Sequence, residues 1–317
     1  MRAKANPVDL FFRYGIVVGF VILCVCFAIF TPNHLFVTPD NLVNVANQVA
    51  INCILAVGMT FVIITAGIDL SVGSVLAVCG VLAALAMGGH EGPITIVIAM
   101  VVGMAVGGGC GFITGLTVAR AGLPPFIVTL AMMLIARGAA FVISHGEPVY
   151  NLPDAFKIIG QAPQLAVPIP VFIMAAVVAA AWLLLSRTTF GRYVFAIGGN
   201  EEAARLSGIS VAWVKTGVYA MSGLLCGLSG VILAGKLGSG DPKSGQFYEL
   251  DAIAAVVVGG TSLMGGRGSI FGTVIGALII GVMNNGLSLL QVDQYWQWIV
   301  KGSVILGAVM LDQVKKR

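Results

Sequence analysis

The sequence predicts an all-α polytopic membrane protein with about ten transmembrane helices. Of its 317 residues, 58% are hydrophobic and only 9% are charged, whereas soluble domains carry about 25% charged residues. A soluble chain of this size could not keep so much apolar surface away from water. The apolar residues also fall in runs whose length approaches the ~20 residues that a helix needs to cross a bilayer. These features exclude a soluble fold.

Ten apolar runs divide the chain. They cover residues 14–30, 49–66, 73–88, 94–119, 125–143, 169–186, 214–236, 251–264, 270–290 and 296–312. The first run lacks a small-residue cleavage site after it, so we expect a retained helix rather than a signal peptide. Tyr295, Trp296 and Trp298 open the last run, where an interfacial aromatic belt is expected. We treat residues 1–317 as one transmembrane domain.

The basic residues indicate the orientation. With the N-terminus inside, cytoplasmic segments hold twelve Lys and Arg residues, at positions 2, 4, 13, 120, 187, 192, 205, 215, 267 and 315–317. Exterior segments then hold only Lys157, Lys236 and Lys243. Because cytoplasmic loops are enriched in basic residues, both termini are predicted to be cytoplasmic. Residues 187–213 are then a long cytoplasmic loop.

Glycine is abundant, with 42 residues. Gly103, Gly107, Gly111 and Gly115 recur every four residues within one apolar run, so they share one helix face. Small residues let membrane helices approach closely. This face is therefore predicted to form a tight helix–helix contact.

The stretch 65–74, TAGIDLSVGS, places a carboxylate between two apolar runs. Gly67 and Gly73 disfavour a continuous helix there. Asp69 or Ser71 can cap the following helix by accepting its free amide hydrogens, and the helix dipole favours an acid at that end. Alternatively, the broken backbone lines a watery translocation pathway, since irregular backbone within a bilayer persists only in such places or inside protein. Both interpretations remain open.

A weak internal repeat supports the second interpretation. Residues 67–77, GIDLSVGSVLA, align with residues 266–276, GRGSIFGTVIG. Both copies lie where two short apolar runs meet. Paired glycine-interrupted segments in the two halves of a transporter indicate its pathway.

Other polar side chains within the apolar runs should face the bundle interior, because they are costly in lipid. With Asp69 and Ser71, we assign to the pathway Asn47, Gln48, Asn52, Thr129, Asn284 and Asn285. Arg137 and Lys301 are charged candidates for interior positions. Amides and hydroxyls both donate and accept hydrogen bonds, which suits a neutral, hydroxylated solute. They equally suit hydrogen bonding between helices.

The cytoplasmic sequence IGGNEEAARLSG specifies a short, well-capped helix. Asn200 is a good N-cap, Glu201 and Glu202 suit the first turn, and Arg205 suits the last. Gly208 can close the helix in the left-handed conformation. A two-turn helix is marginal alone, so we expect it to dock onto another protein, with an ordinary surface turn as the alternative.

The motifs of an enzyme are missing. The only Gly-Lys pair, Gly235–Lys236, lacks the spacing of a phosphate-binding loop, and neither HExxH nor GxSxG occurs. The isolated histidines suggest no metal site, and the six cysteines lie in apolar runs without a CxxC pair. We expect no catalytic residue, no cofactor in this chain and no nucleic-acid partner.

Several stretches resemble the ribose-type sugar ABC transporter permeases, within the branched-chain amino acid/ribose permease superfamily. They are ILAVGMTFVIITAGIDLSVGS, PPFIVTLAMMLIARG, FGRYVFAIGGNEEAARLSGI and ELDAIAAVVVGGTSLMGGRGSIFGTVIGALI. The resemblance covers the chain from about residue 40 onward. Glu202, Ala203 and Ala204, followed by Gly208, also resemble the EAA-and-glycine signature of importer permeases.

The resemblance implies an architecture and partners. It implies a type II importer fold, like that of the vitamin B12 permease, and a dimer of permease chains in the bacterial inner membrane. A cytoplasmic ATPase with two fused nucleotide-binding domains would hold ATP and Mg, and a periplasmic sugar-binding protein would deliver the substrate. Residues 200–208 would be the coupling helix that fits a cleft on the ATPase.

The function expected from the resemblance is ATP-driven import of a ribose-like pentose or a hexose by alternating access. Two alternatives stay open. The same architecture can carry another small solute, such as branched-chain amino acids, or the chain can be a self-sufficient secondary sugar transporter. Asp69 is the residue that could serve ion coupling in the latter.

Overall fold

The computed structural model describes residues 7–88, 92–150, 152–161 and 167–314, and the regular elements in these ranges are helices. In chain order they are α1 Pro7–Phe30, a 3-10 segment Pro32–Val37, α2 Pro39–Ile64, α3 Val72–Met87, α4 Pro93–Ala121, α5 Pro125–Ile143, α6 Asp154–Gln161, α7 Ile169–Arg187, α8 Thr189–Gly199, α9 Glu201–Leu206, α10 Val211–Leu237, α11 Tyr248–Val258, α12 Ile270–Leu289 and α13 Gln294–Val314.

The prediction of a polytopic α-helical membrane protein is confirmed. Each of the ten apolar runs contains a helix, and six helices of the described ranges are long and apolar enough to cross a membrane, namely α2, α4, α5, α7, α10 and α12. The run at 251–264 is helical only as far as Val258, because Gly259 and Gly260 follow. Helix α8 lies in the stretch 187–213 expected to be a loop, and α6 lies between the apolar runs 125–143 and 169–186.

Proline and glycine set several helix boundaries. Helices α2, α4 and α5 begin with a proline at the first helical position, where the missing amide hydrogen costs no helical hydrogen bond. Helices α3, α4 and α10 end before a glycine in the left-handed conformation, which closes a helix without Cβ strain.

Helices α2 and α10 form the interior of the bundle, and α4 packs along α10 through its glycine face. Most residues of the candidate spans α2 and α10 are buried, whereas fewer than a third are buried in α4, α5 and α7. A Cβ at Gly107 would lie 3.0 Å from the Cα of Gly227, and one at Gly115 would lie 2.8 Å from the Cα of Thr216. The predicted tight contact of this glycine face is confirmed.

Candidate functional site

Asp69 lies in a break between helices, as predicted, and its side chain is buried in protein. Helix α2 ends at Ile64, and α3 begins only at Val72. Asp69 is 3% exposed. Its Oδ1 accepts hydrogen bonds from the backbone N–H and the hydroxyl of Ser71, at 3.0 and 2.6 Å, and its Oδ2 accepts one from the hydroxyl of Ser222 on α10, at 3.2 Å. These three donors satisfy much of the carboxylate.

The predicted capping bond differs from the one observed. Ser71 occupies the N-cap position of α3, but its side chain makes no capping hydrogen bond. Asp69 binds the backbone of the N-cap residue rather than the amides of the first helical turn, an arrangement in which an Asp side chain stabilises a local turn. The acid therefore stabilises the break itself and not the end of the helix.

The position of Ser222 along α10 shows that this break lies deep in the bundle. Helix α10 has 27 residues and is about 40 Å long at ~1.5 Å per residue. Ser222 lies near its middle, so Asp69 and the start of α3 lie at about half the depth of the bundle. Thr129 of α5 joins them, because its hydroxyl donates to the carbonyl of Ile68 at 3.1 Å. Three predicted pathway residues, Asp69, Ser71 and Thr129, thus lie together.

A second non-helical segment, residues 238–247, runs along α3 to the same depth. A Cβ at Gly240 would lie 3.0 Å from the Cα of Val81, in the C-terminal half of α3, and one at Gly245 would lie 3.2 Å from the carbonyl carbon of Gly73, at its start. Helix α11 begins directly afterwards at Tyr248. The N-termini of α3 and α11, two helices too short to span a bilayer, therefore meet inside the bundle.

Charged side chains surround this meeting point. Arg137 of α5 donates through Nη1 to the carbonyls of Pro242 and Ser244, at 2.6 and 2.7 Å, and so holds the non-helical segment in place. Glu249, in the first turn of α11, lies against Gly73 of α3. Its Oε2 is 2.5 Å from the position that a Cβ on Gly73 would occupy. Two residues further, Asp251 is buried and pairs with Lys301 of α13, whose Nζ lies 2.9 Å from Oδ1.

The remaining predicted pathway residues join other helices. Asn285 and Asn41 exchange two side-chain hydrogen bonds of 3.0 and 2.7 Å, which connect α12 with α2. Asn47 donates to the carbonyl of Gly160 on α6 at 2.8 Å, and Asn284 donates to Asp251 at 3.2 Å. Asn52 is buried within α2, and Gln48 is half-buried. These residues do not gather around Asp69, and their role in a pathway stays a prediction.

The acids of α11 and the hydroxyl of Ser222 were not among the predicted site residues. Glu249 and Asp251 open the sequence ELDAIAAVVV, two acids before an apolar run, which is the signal that singled out Asp69. Ser222 carried no such signal, because a serine inside a glycine-rich helix is common in membrane proteins.

The capped helix predicted in the cytoplasmic loop is α9. The Asn200 side chain accepts the backbone N–H of Ala203 at 2.9 Å, and Gly208 adopts a φ of 82°. Glu201 pairs with Arg205 at 3.2 Å and with Lys215 of α10 at 2.5 Å. Glu202 and Ala203 are exposed, and Leu206 is 81% exposed. The helix is thus anchored on one side and presents an apolar side chain on the other.

Helix α8, which precedes α9, touches two breaks between helices. One is the segment 65–71 between α2 and α3, and the other is the segment 259–269 between α11 and α12. At the end of α8, a Cβ on Gly198 would lie 2.5 Å from the amide nitrogen of Gly266 and even closer to the carbonyl oxygen of Ile64. Gly266 itself donates to that carbonyl at 2.9 Å. The starts of the two predicted repeat copies, in the segments 65–71 and 259–269, therefore lie side by side.

Comparison with known proteins identifies the family. Residues 41–309 match the family model described as branched-chain amino acid transport system / permease component. The chain is 48% identical to the ribose import permease protein RbsC of Escherichia coli K12, over 94% of this chain and 93% of that protein. It is 40% identical to the D-allose transport system permease protein AlsC and 36% identical to the xylose transport system permease protein XylH of the same organism, over 95% of this chain and 92% of each of them. No solved structure matches the chain.

These matches extend over nearly the whole chain, which excludes a shared local motif as their cause. With the six apolar spans, they make the chain a multi-pass protein of the bacterial inner membrane, one component of an import system that also needs an ATPase and a substrate-binding component. The chain belongs to the ribose-type ABC transporter permeases of the branched-chain amino acid/ribose permease superfamily.

Proposed function

We propose that the chain is the membrane-spanning subunit of an ATP-driven importer for a monosaccharide, a ribose-like pentose or a hexose. The observation that carries this proposal is the 48% identity to a ribose import permease over 94% of the chain. Identity falls to 40% and 36% for the allose and xylose permeases, which favours ribose among these three sugars. The family model is described by branched-chain amino acids, but the similar named proteins carry sugars, so amino-acid transport is not favoured.

The proposed mechanism is alternating access driven from the cytoplasmic side. Helix α9, with exposed Leu206 at its end, would fit a cleft on the ATPase as the coupling helix. The movement of the ATPase on binding ATP would be transmitted to the permease through this helix. Asn200, Glu201, Glu202, Ala203, Arg205 and Gly208 shape this helix or its caps. Gly198 lies against both breaks and supports transmission of that movement to the ends of α2 and α12.

The proposed assembly has ten spans in each permease chain, of which two combine the short helices α3 and α11 with the non-helical segments before them. Both termini would be in the cytoplasm, and the fold would be that of a type II importer like the vitamin B12 permease. Helices at all ten apolar runs and the basic residues of the cytoplasmic segments support it. Two identical chains would enclose the pathway. An ATPase with fused nucleotide-binding domains would hold ATP and Mg, and a periplasmic sugar-binding protein would deliver the sugar. The permease would need no cofactor of its own.

Reconstitution into proteoliposomes tests the proposal. Uptake of labelled ribose is expected only when the permease, its ATPase, the loaded binding protein and ATP are all present. Ribose uptake by the chain alone, driven by a proton or sodium gradient, would establish the secondary-transporter alternative. Uptake of leucine but not of ribose, xylose or allose by the complete system would overturn the sugar assignment.

A further inference from the structure

We propose that Phe247, Trp298, Arg137 and Glu249 form a contact site for the monosaccharide along its pathway through the bundle. The site rests on the proposed function, because it names the surface of this chain that the sugar touches during translocation. The four residues come from three helices and from the segment before α11. They lie beside the meeting N-termini of α3 and α11.

The charges of the site face away from lipid. Arg137 and Glu249 are both half-buried, and no ion pair within 4.0 Å joins them among the described residues. Only Nη1 of Arg137 is used by the carbonyls of Pro242 and Ser244, so its other guanidinium donors are left for a ligand. Partly exposed charges inside a membrane protein face a watery pathway or the bundle interior. This favours the pathway over the lipid surface for the exposed side of the cluster.

The aromatic rings of the site are held edge to face. The Phe247 ring lies 5.0 Å from the Trp298 ring in a T-shaped arrangement, and the two side chains are 37% and 40% exposed. Phe247 immediately precedes α11 and has a φ of 66°. A bulky residue in this left-handed conformation costs about 1 kcal/mol or more and persists where the surroundings impose it. The backbone thus turns an aromatic side chain toward Trp298, in the first turns of α13.

This combination suits a sugar ring. One face of a pyranose or furanose carries C–H groups and packs on an aromatic ring, while its neighbouring hydroxyls need charged or polar partners. An Arg donor and a carboxylate acceptor supply charge-assisted hydrogen bonds to such hydroxyls. Small-molecule sites generally combine aromatic walls with a few convergent polar groups. A branched-chain amino acid offers no ring face and no vicinal hydroxyls for these residues.

The test compares Trp298→Leu with Trp296→Leu in the complete reconstituted importer. Trp296 lies on the same helix, is 62% exposed, and the site does not include it. Trp298→Leu keeps an apolar side chain but removes the ring, so ribose uptake should fall about five- to tenfold. ATPase stimulation by loaded binding protein should stay within about twofold of the unmodified importer, because α9 is unchanged. Trp298→Phe should restore most of the uptake.

Equal uptake by the importer with Trp298→Leu and the unmodified importer would overturn the site. An equal loss with Trp296→Leu would do the same, because it would indicate a general membrane-belt role for both tryptophans. If the Trp298→Leu protein does not accumulate in membranes, Glu249→Gln is tested instead, with a predicted several-fold fall in maximal uptake at saturating loaded binding protein and no change in ATPase stimulation. An unmodified importer that carries no sugar rejects the proposed function instead, so the two failures are distinguishable.

Discussion

Gly266 donates its backbone N–H to the carbonyl of Ile64 across 2.9 Å, which joins the two breaks in the transmembrane helices. Gly198 packs onto the same pair of groups without space for a Cβ. This three-segment junction connects α8, and hence the helix α9 that follows it, with the ends of α2 and the loop before α12. A displacement of α9 is therefore expected to act first on these breaks.

Gly198→Ala is predicted to disturb the junction, because the added Cβ would be too close to the carbonyl oxygen of Ile64. In the complete importer, sugar uptake per ATP hydrolysed should fall by about tenfold or more, an effect of about 1.4 kcal/mol. Gly199→Ala is the matched control, since nothing lies within 4 Å of a Cβ at that position. Equal coupling ratios in the two variants would contradict a role for the junction.

Leu206→Ala is predicted to weaken binding of the ATPase subunit. Leu206 is 81% exposed at the end of α9, and removal of a large apolar side chain from a protein interface commonly costs about 1 kcal/mol or more. The dissociation constant measured in detergent should therefore rise about fivefold or more. Leu237→Ala, at the opposite end of α10 and 51% exposed, should leave it unchanged. A normal affinity for the ATPase in Leu206→Ala would mean that α9 does not dock as proposed.

The sequence predicted the breaks but not their surroundings. Glycine, the acid Asp69 and the interruption of apolar runs are local signals, and so is the Asn200 cap of α9. The contacts of Asp69 with Ser222, or of Gly198 with Ile64, join residues more than a hundred positions apart, and no local pattern encodes them. Amides such as Asn47 and Asn285 could not be sorted from sequence, because pathway residues and residues that link helices have the same composition.

Asp69→Asn is predicted to transport within about twofold of the unmodified protein. The amide oxygen can still accept from the N–H and hydroxyl of Ser71, and the serine hydroxyl at 222 can turn to accept from the amide. Asp69→Ala leaves three donors without their acceptor, at about 1–3 kcal/mol for each buried group, so its melting temperature in detergent should fall clearly. Loss of transport in a well-folded Asp69→Asn protein would instead indicate that the charge itself is required.

The Asn41–Asn285 pair should behave as one unit. The two amides bond each other, and Asn41 also donates to the carbonyl of Phe36 at 2.9 Å. Asn41→Ala leaves the Asn285 amide unpaired and should destabilise by about 1–3 kcal/mol, whereas Asn285→Ala should cost less because Asn41 keeps its bond to Phe36. The double variant should cost little more than Asn41→Ala alone, because the interaction between the amides is lost once. A double-mutant cycle of thermal unfolding measures this coupling. Strictly additive effects would show that the two amides contribute independently.

Lys301→Met is predicted to be the most destabilising change around α11. It leaves the buried Asp251 without its cation, and removal of one partner of a buried ion pair costs about 3–5 kcal/mol. Asp251 would retain only the weaker hydrogen bond from Asn284 at 3.2 Å. The double variant Asp251→Asn with Lys301→Met removes both charges and should regain most of that stability, since a buried pair and its neutral replacement are often similar in free energy.

The measurement for this pair is thermal unfolding in detergent together with sugar uptake. Recovery of stability with normal uptake in the double variant is expected if the pair only joins α11 to α13. Because Trp298 lies one turn before Lys301 on α13, a loosened α13 would also move the ring that packs on Phe247. Lys301→Met should therefore lower uptake along with stability, and the double variant should restore both. A double variant that stays as unstable as Lys301→Met would show that the carboxylate of Asp251 has a structural role beyond its ion pair.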